Sequence, residues 1–132
     1  MALATFSAII DFALKAETMA RIYFTEAGQA APAMQQVPLL RFKTEAEKNV
    51  KTLQTILREQ ITEMVMEPCE ALDEAAYAAK IATSDPLATS RHLLEQQRDF
   101  LRRAAQVINL REVKRAFDRL ADRKQQLIAE IS

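Results

Sequence analysis

Few side chains in this sequence combine a reactive type with a useful position. Cys69, the single cysteine, follows Pro68 at the expected start of a short helix, and a helix N-terminus lowers a thiol pKa. Glu67 and Glu70 flank it, however, and no histidine is near in sequence, so a packed or idle thiol is the expectation. One cysteine forms no internal disulfide, and the lone His92 cannot supply a histidine-rich metal site. His92 is expected at the surface. Serines and threonines are scattered without the His/Asp arrangement that acyl transfer requires. A dinucleotide fingerprint or a phosphate loop needs several glycines, and Gly28 is the only one.

Charge narrows the partners further. Eighteen basic and eighteen acidic residues cancel over 132 residues, which gives no overall attraction to nucleic acid or membrane. Locally the balance tips: Glu59 to Asp85 holds seven acids and one base, and Arg98 to Lys124 nine bases and four acids. Such segments dock on one another or form solvated helix faces. Arg102, Arg103, Arg111, Lys114, Arg115, Arg119 and Arg123 form the basic group, but no aromatic interleaving or nucleic-acid module accompanies them. Nucleic acid is therefore not the expected partner. The first basic residue is Lys15 and the longest uncharged stretch, Ala27 to Leu40, is broken by Gly28, Pro32 and Pro38. That predicts neither a secretory leader nor a membrane span, and the single thiol suits a reducing cytoplasm.

The elements that must position these groups are helices. Alanine occurs 23 times and leucine 14, and the four prolines stand at 32, 38, 68 and 86. Between them, apolar residues recur every three or four positions: Phe6, Ile9, Ala13, Ala16, Ala20, Phe24, then Leu39, Phe42, Ala46, Val50, Leu53, Leu57. Gly28 suits the left-handed cap of the first helix, and Pro38 the opening turn of the second. Asp85 and Pro86 read as N-cap and first residue of a third. The stripes before Ile108 and after it point roughly 140° apart, so the chain must turn there. Asn109 with Glu112 offers a capping box for the last helix. The expected elements are one domain over 1–132 with helices at about 3–28, 34–66, 69–82, 86–107 and 110–131. Met19, Met64 and Met66 lie on or near the stripes as packing residues, and Tyr23 is expected in the core with its hydroxyl satisfied.

Two helical hairpins joined by one long crossover form an all-α, ferritin-like four-helix bundle, here with a short crossover helix between helices 2 and 3. The segment Ala16-Glu17-Thr18-Met19-Ala20-Arg21-Ile22-Tyr23-Phe24 then resembles the first helix of the ferritin-like superfamily, rubrerythrin-like members in particular. In them a glutamate among alanines is followed by an aromatic pair. The resemblance implies a di-iron site in which a glutamate from each of two helices joins a Glu-x-x-His from each of the others. Neither Glu-x-x-His occurs here. Glu47 with Val50 and Asp122 with Gln125 are the nearest in phase, and His92 precedes Glu95 in reversed order.

Direction on each helix separates the carboxylates. Glu17 lies roughly 40° from the centre of its stripe, Glu47 roughly 90° from its own, and Glu95 and Asp122 more than about 120° away. Lys124 and Gln97 hold inward positions on the last two long helices. Glu17, Gln97 and Lys124 are therefore expected to form a polar core in place of metal, the ammonium standing where relatives hold cations. Two other arrangements fit the same residues. The Lys124 stem could snorkel outward and leave Glu17 wet, or a metal site could survive on Glu17 and Glu47. The first arrangement implies no cofactor, no catalytic residue and a structural or protein-interaction module. The resemblance adds a homo-oligomer such as a dimer. The last arrangement implies an iron or manganese oxidoreductase or metal-handling protein.

Overall fold

The first helix begins where a threonine can cap it. Thr5 is extended (φ −129°, ψ 158°) and its Oγ1 accepts the Ala8 N–H at 3.2 Å, satisfying one of the orphan donors of the first turn. In the computed structural model, which describes residues 2–64, 68–73, 85–108 and 110–131, helix α1 runs from Phe6 to Ala30. It ends because Ala31 precedes Pro32, and the proline ring forces its neighbour out of the helical region (φ −79°, ψ 155°). The side chain of Gln36 donates back to the Ala31 carbonyl at 2.9 Å. Gly28 is thus not the helix cap expected of it. It lies inside the last turns and no residue described has a positive φ, because the proline alone is enough to stop the helix.

Helix α2 spans Ala33–Met64 with Pro38 inside it. The proline falls beyond the opening turn, so the ladder lacks one hydrogen bond, to the carbonyl of Met34. Helix α3, Pro86–Val107, starts as its sequence signals: Asp85 Oδ1 accepts the Leu87 N–H at 3.1 Å and Pro86 occupies the first turn. Helix α4, Arg111–Glu130, follows a break at Ile108. The break stands where the phase change demands it, but the cap differs. Leu110 is the N-cap and contributes no side-chain hydrogen bond; Asn109 lies outside the described residues.

The expected crossover helix over 69–82 is not formed in its first part. Pro68–Asp73 is a strand, β2, paired antiparallel with β1, Ala2–Thr5, so that Ala2 faces Asp73, Leu3 faces Leu72 and Thr5 faces Pro68. Residues 74–84 lie outside the described residues. The chain entering α1 leaves an unpaired strand edge at the end of the bundle where α2 finishes. Pairing with it overrides the modest helix preference of Pro-Cys-Glu-Ala-Leu-Asp, which lacks an apolar stripe. Pro68 is tolerated as the first residue of a strand. The same pairing takes residues 3–5 from the expected first helix. Among the described residues the protein is otherwise all-α, built on four helices.

Two apolar clusters fill the bundle. One gathers Ile9, Ile10, Leu53, Phe100, Val113 and Phe117 near the start of α1; the other gathers Phe24, Leu39, Phe42, Leu93, Leu94 and Leu127 near its end. Following the clusters gives the directions: α1 and α4 run one way, α2 and α3 the other. The link between the hairpins therefore leaves from one end of the bundle and returns at the other. No helix among the described residues is long and apolar enough to cross a membrane.

Candidate functional site

Each helix places one polar side chain at the junction of the two clusters. Glu17 falls between Ala13 and Ala20, Asn49 between Ala46 and Leu53, Gln97 between Leu94 and Phe100, and Lys124 between Ala121 and Leu127. Helical spacing from the inward apolar residues leaves these side chains no route but inward. Glu17 is 3% exposed and Lys124 1%.

The ammonium of Lys124 is in direct contact with Oε1 of Glu17. Asn49 Nδ2 approaches the same carboxylate at 3.4 Å from Oε1 and 3.5 Å from Oε2, which is long for a hydrogen bond. Gln97 does not reach Glu17. Its Nε2 donates to the Ala16 carbonyl at 3.2 Å, and its buried Oε1 has no partner among the described residues. A cavity of about 20 Å³ adjoins the group, bordered by Phe12, Ala16, Glu17, Leu53, Gln97 and Phe100. That is room for about one water.

Taking a carboxylate and an ammonium out of water costs several kcal/mol per ion, and their mutual attraction offsets it only when the geometry is close. Removing either partner would strand the other charge in hydrocarbon. Chemically the arrangement is closed. The lysine occupies the carboxylate, the remaining polar groups are amides, and the cavity beside them among the described residues has room for about one water.

The other candidates sit elsewhere. Glu47 is exposed on α2, roughly 200° around the helix from Asn49, so it does not meet Glu17. Asp122 and His92 are exposed, with Gln96 3.4 Å from the imidazole, and Glu95 pairs with Arg91 at 3.7 Å. Among the described residues no three His, Cys, Asp or Glu side chains gather where they could hold a metal. The donors around Glu17 do not fit a di-metal centre: one carboxylate, two amides and a cation cannot charge-balance two divalent ions. Cys69 stands in strand β2 rather than at the start of a helix. Met19 is 50% exposed rather than packed, since it projects from the side of α1 opposite Glu17. Tyr23 is half-buried, its ring edge-on to Phe24 with centroids 6.1 Å apart, and its hydroxyl has no partner among the described residues.

A second set of charges ties the hairpins at the surface. Arg123 donates through Nε (3.2 Å) and Nη2 (2.9 Å) to Glu45 Oε1, and Arg41 grips Glu130 with two contacts, of 2.9 and 3.1 Å. The Arg123 hydrogen bond holds the Glu45 carboxyl below the usual carboxylate range; partial burial opposes this, and the charges of Arg123, Lys48 and Lys124 reinforce it. Glu45 in turn raises Arg123. Of the basic group, Arg103 binds Gln106 at 2.8 Å, and Arg119 borders a groove with Lys51, Glu59 and Glu112.

No family model matches the chain, and neither a curated protein nor a solved structure does.

Proposed function

We propose that this protein is a ferritin-like helical bundle in which an ion pair has replaced the di-iron centre, and that it acts as a non-catalytic structural or protein-interaction module. One observation carries the reading: the Lys124 ammonium sits on Glu17, the inward carboxylate of the layer. In a working relative that position needs several anionic or imidazole ligands around two cations. Here the opposing helices supply Asn49 and Gln97 instead. The hairpin directions support the ferritin-like part of the reading, because one connection that runs from end to end between two antiparallel hairpins is that topology. A reducing cytoplasm is the compartment proposed, and a homo-oligomer the working form.

Elemental analysis of gently purified protein tests the reading directly. The expected result is no stoichiometric iron or manganese, and no peroxide turnover after Fe(II) is added. Near-stoichiometric metal that is lost in Glu17→Ala would overturn it.

A further inference from the structure

The outer face of α1 carries a pattern that burial inside one chain does not explain. Lys15, Met19, Ile22 and Glu26 follow at i, i+4, i+7 and i+11, within roughly 60° of arc on the side facing away from the core. All four are exposed, Met19 at 50% and Ile22 at 46%. Large apolar side chains on a solvated face are ordinary when scattered. These two are adjacent, and an opposite charge stands at each end of the pair.

The order is a palindrome in polarity and inverts in charge, cation to anion. Two α1 helices laid antiparallel about a two-fold axis level with Ala20 and Arg21 set Met19 against the partner's Ile22. The same axis sets Lys15 against the partner's Glu26, and symmetry repeats both contacts. A two-fold interface must be self-complementary in this way, whereas a patch for an unrelated partner has no reason to be. Lys15 also pairs within its own helix with Asp11 at 3.0 Å, both side chains well exposed (73% and 60%). Such a surface pair is weak, so Lys15 remains free to sit between Asp11 and the partner's Glu26. On α2 of the same hairpin, Val37 and Leu40 are 67% and 60% exposed, and Leu40 borders a groove with Thr25, Gly28 and Gln29 near the end of α1.

We infer that the outer face of α1 is a homodimer interface that binds a second copy of this chain antiparallel, with Met19 and Ile22 at its centre and Lys15 opposite the partner's Glu26. The inference rests on reading the chain as an assembly module and names its partner. One helix pair with flanking contacts is at the small end of specific interfaces, so association is expected at dissociation constants on the order of micromolar.

Sedimentation equilibrium of the full chain over a wide concentration range, at low and moderate salt, tests it. The native protein should show a reversible monomer–dimer equilibrium. Lys15→Glu and Glu26→Lys should each weaken the dimer at least about tenfold, and the two together should recover it to within about threefold, because the swap restores both opposed pairs. Met19→Ser should weaken it comparably, with an unchanged helical circular dichroism signal in every variant. A native chain that stays monomeric throughout would overturn the inference. So would a dimer indifferent to the single reversals, or a swap no better than either reversal alone. A metal-free monomer would remove this interface and the homo-oligomeric form, and leave the replacement of the metal centre by the ion pair standing; a metal-loaded dimer would do the reverse.

Discussion

Among the described residues the hairpin of α3 and α4 leaves no large apolar side chain exposed, whereas α1 and α2 leave five: Met19, Ile22, Met34, Val37 and Leu40. Both hairpins meet the same requirement, an apolar stripe for the shared core. They differ on the opposite face. The outer surface of α3 and α4 is charged, with Arg98 on Asp99 at 2.9 Å and on Gln125 at 2.7 Å. The second hairpin is thus finished as a solvent-facing wall, and the first is not. The interface proposed for the outer face of α1 would account for this asymmetry, since Met19 and Ile22 are two of the five exposed side chains.

The largest expected effect concerns the layer where the hairpins meet. Glu17→Ala and Lys124→Met should each destabilise by about 3–5 kcal/mol in urea unfolding, because each strands a buried charge. Glu17→Leu combined with Lys124→Met should be far less costly than the sum. Additive losses would mean that the hairpins are not coupled through this pair.

Next comes the entry to the second hairpin. Asp85→Ala removes the cap on the Leu87 N–H and should cost about 1 kcal/mol. An effect near zero would mean that the start of α3 is held by packing alone. The first hairpin offers a smaller change of opposite sign. Gly28 is helical, and a Cβ there would meet Leu39 Cβ at 3.8 Å, an ordinary contact. Gly28→Ala should therefore stabilise by about 0.5–1 kcal/mol through helix propensity and reduced unfolded-state freedom.

The smallest is at the surface seam. Glu45→Gln should cost less than about 1 kcal/mol at neutral pH, since Arg123 is partly exposed. Its sign with pH is fixed by the lowered carboxyl. The unfolded chain binds the proton more readily, so the pair's contribution is complete above the unfolded carboxylate range and fades as pH falls through the folded value. The stability difference between native protein and variant should vanish in acid. A difference that persisted there would assign the loss to packing.

Much of the bundle could be read from the sequence because its signals are local. Proline at 32 and 86, the Asp85 cap and the phase change at Ile108 each act within one helical turn. The direction of Glu17 was legible for the same reason, as a polar residue well inside a long apolar stripe. Asn49 was not. It shares its face with Val50, and where an apolar and a polar residue flank one stripe the apolar one claims the inward place in any pattern. Gln97 was placed inside but not its partner, because the Ala16 carbonyl is backbone and carries no side-chain signal. The β1–β2 ribbon joins segments more than sixty residues apart, and its strands are short and lack strict alternation. Nothing near Pro68 announces that the chain's own beginning will lie beside it.

The buried ion pair midway along a mostly apolar interior also works as an index mark. Sliding one hairpin along the other by a helical turn, about 5.4 Å, would leave most leucine-on-leucine contacts replaceable by similar ones. It would also carry the ammonium away from the carboxylate of Glu17. Side chains that merely like oil cannot tell one such alignment from the next, and a charge can. Swapping the pair for hydrocarbon should then yield a bundle at least as hard to unfold but with broadened or doubled amide resonances, as the helices sample more than one axial setting.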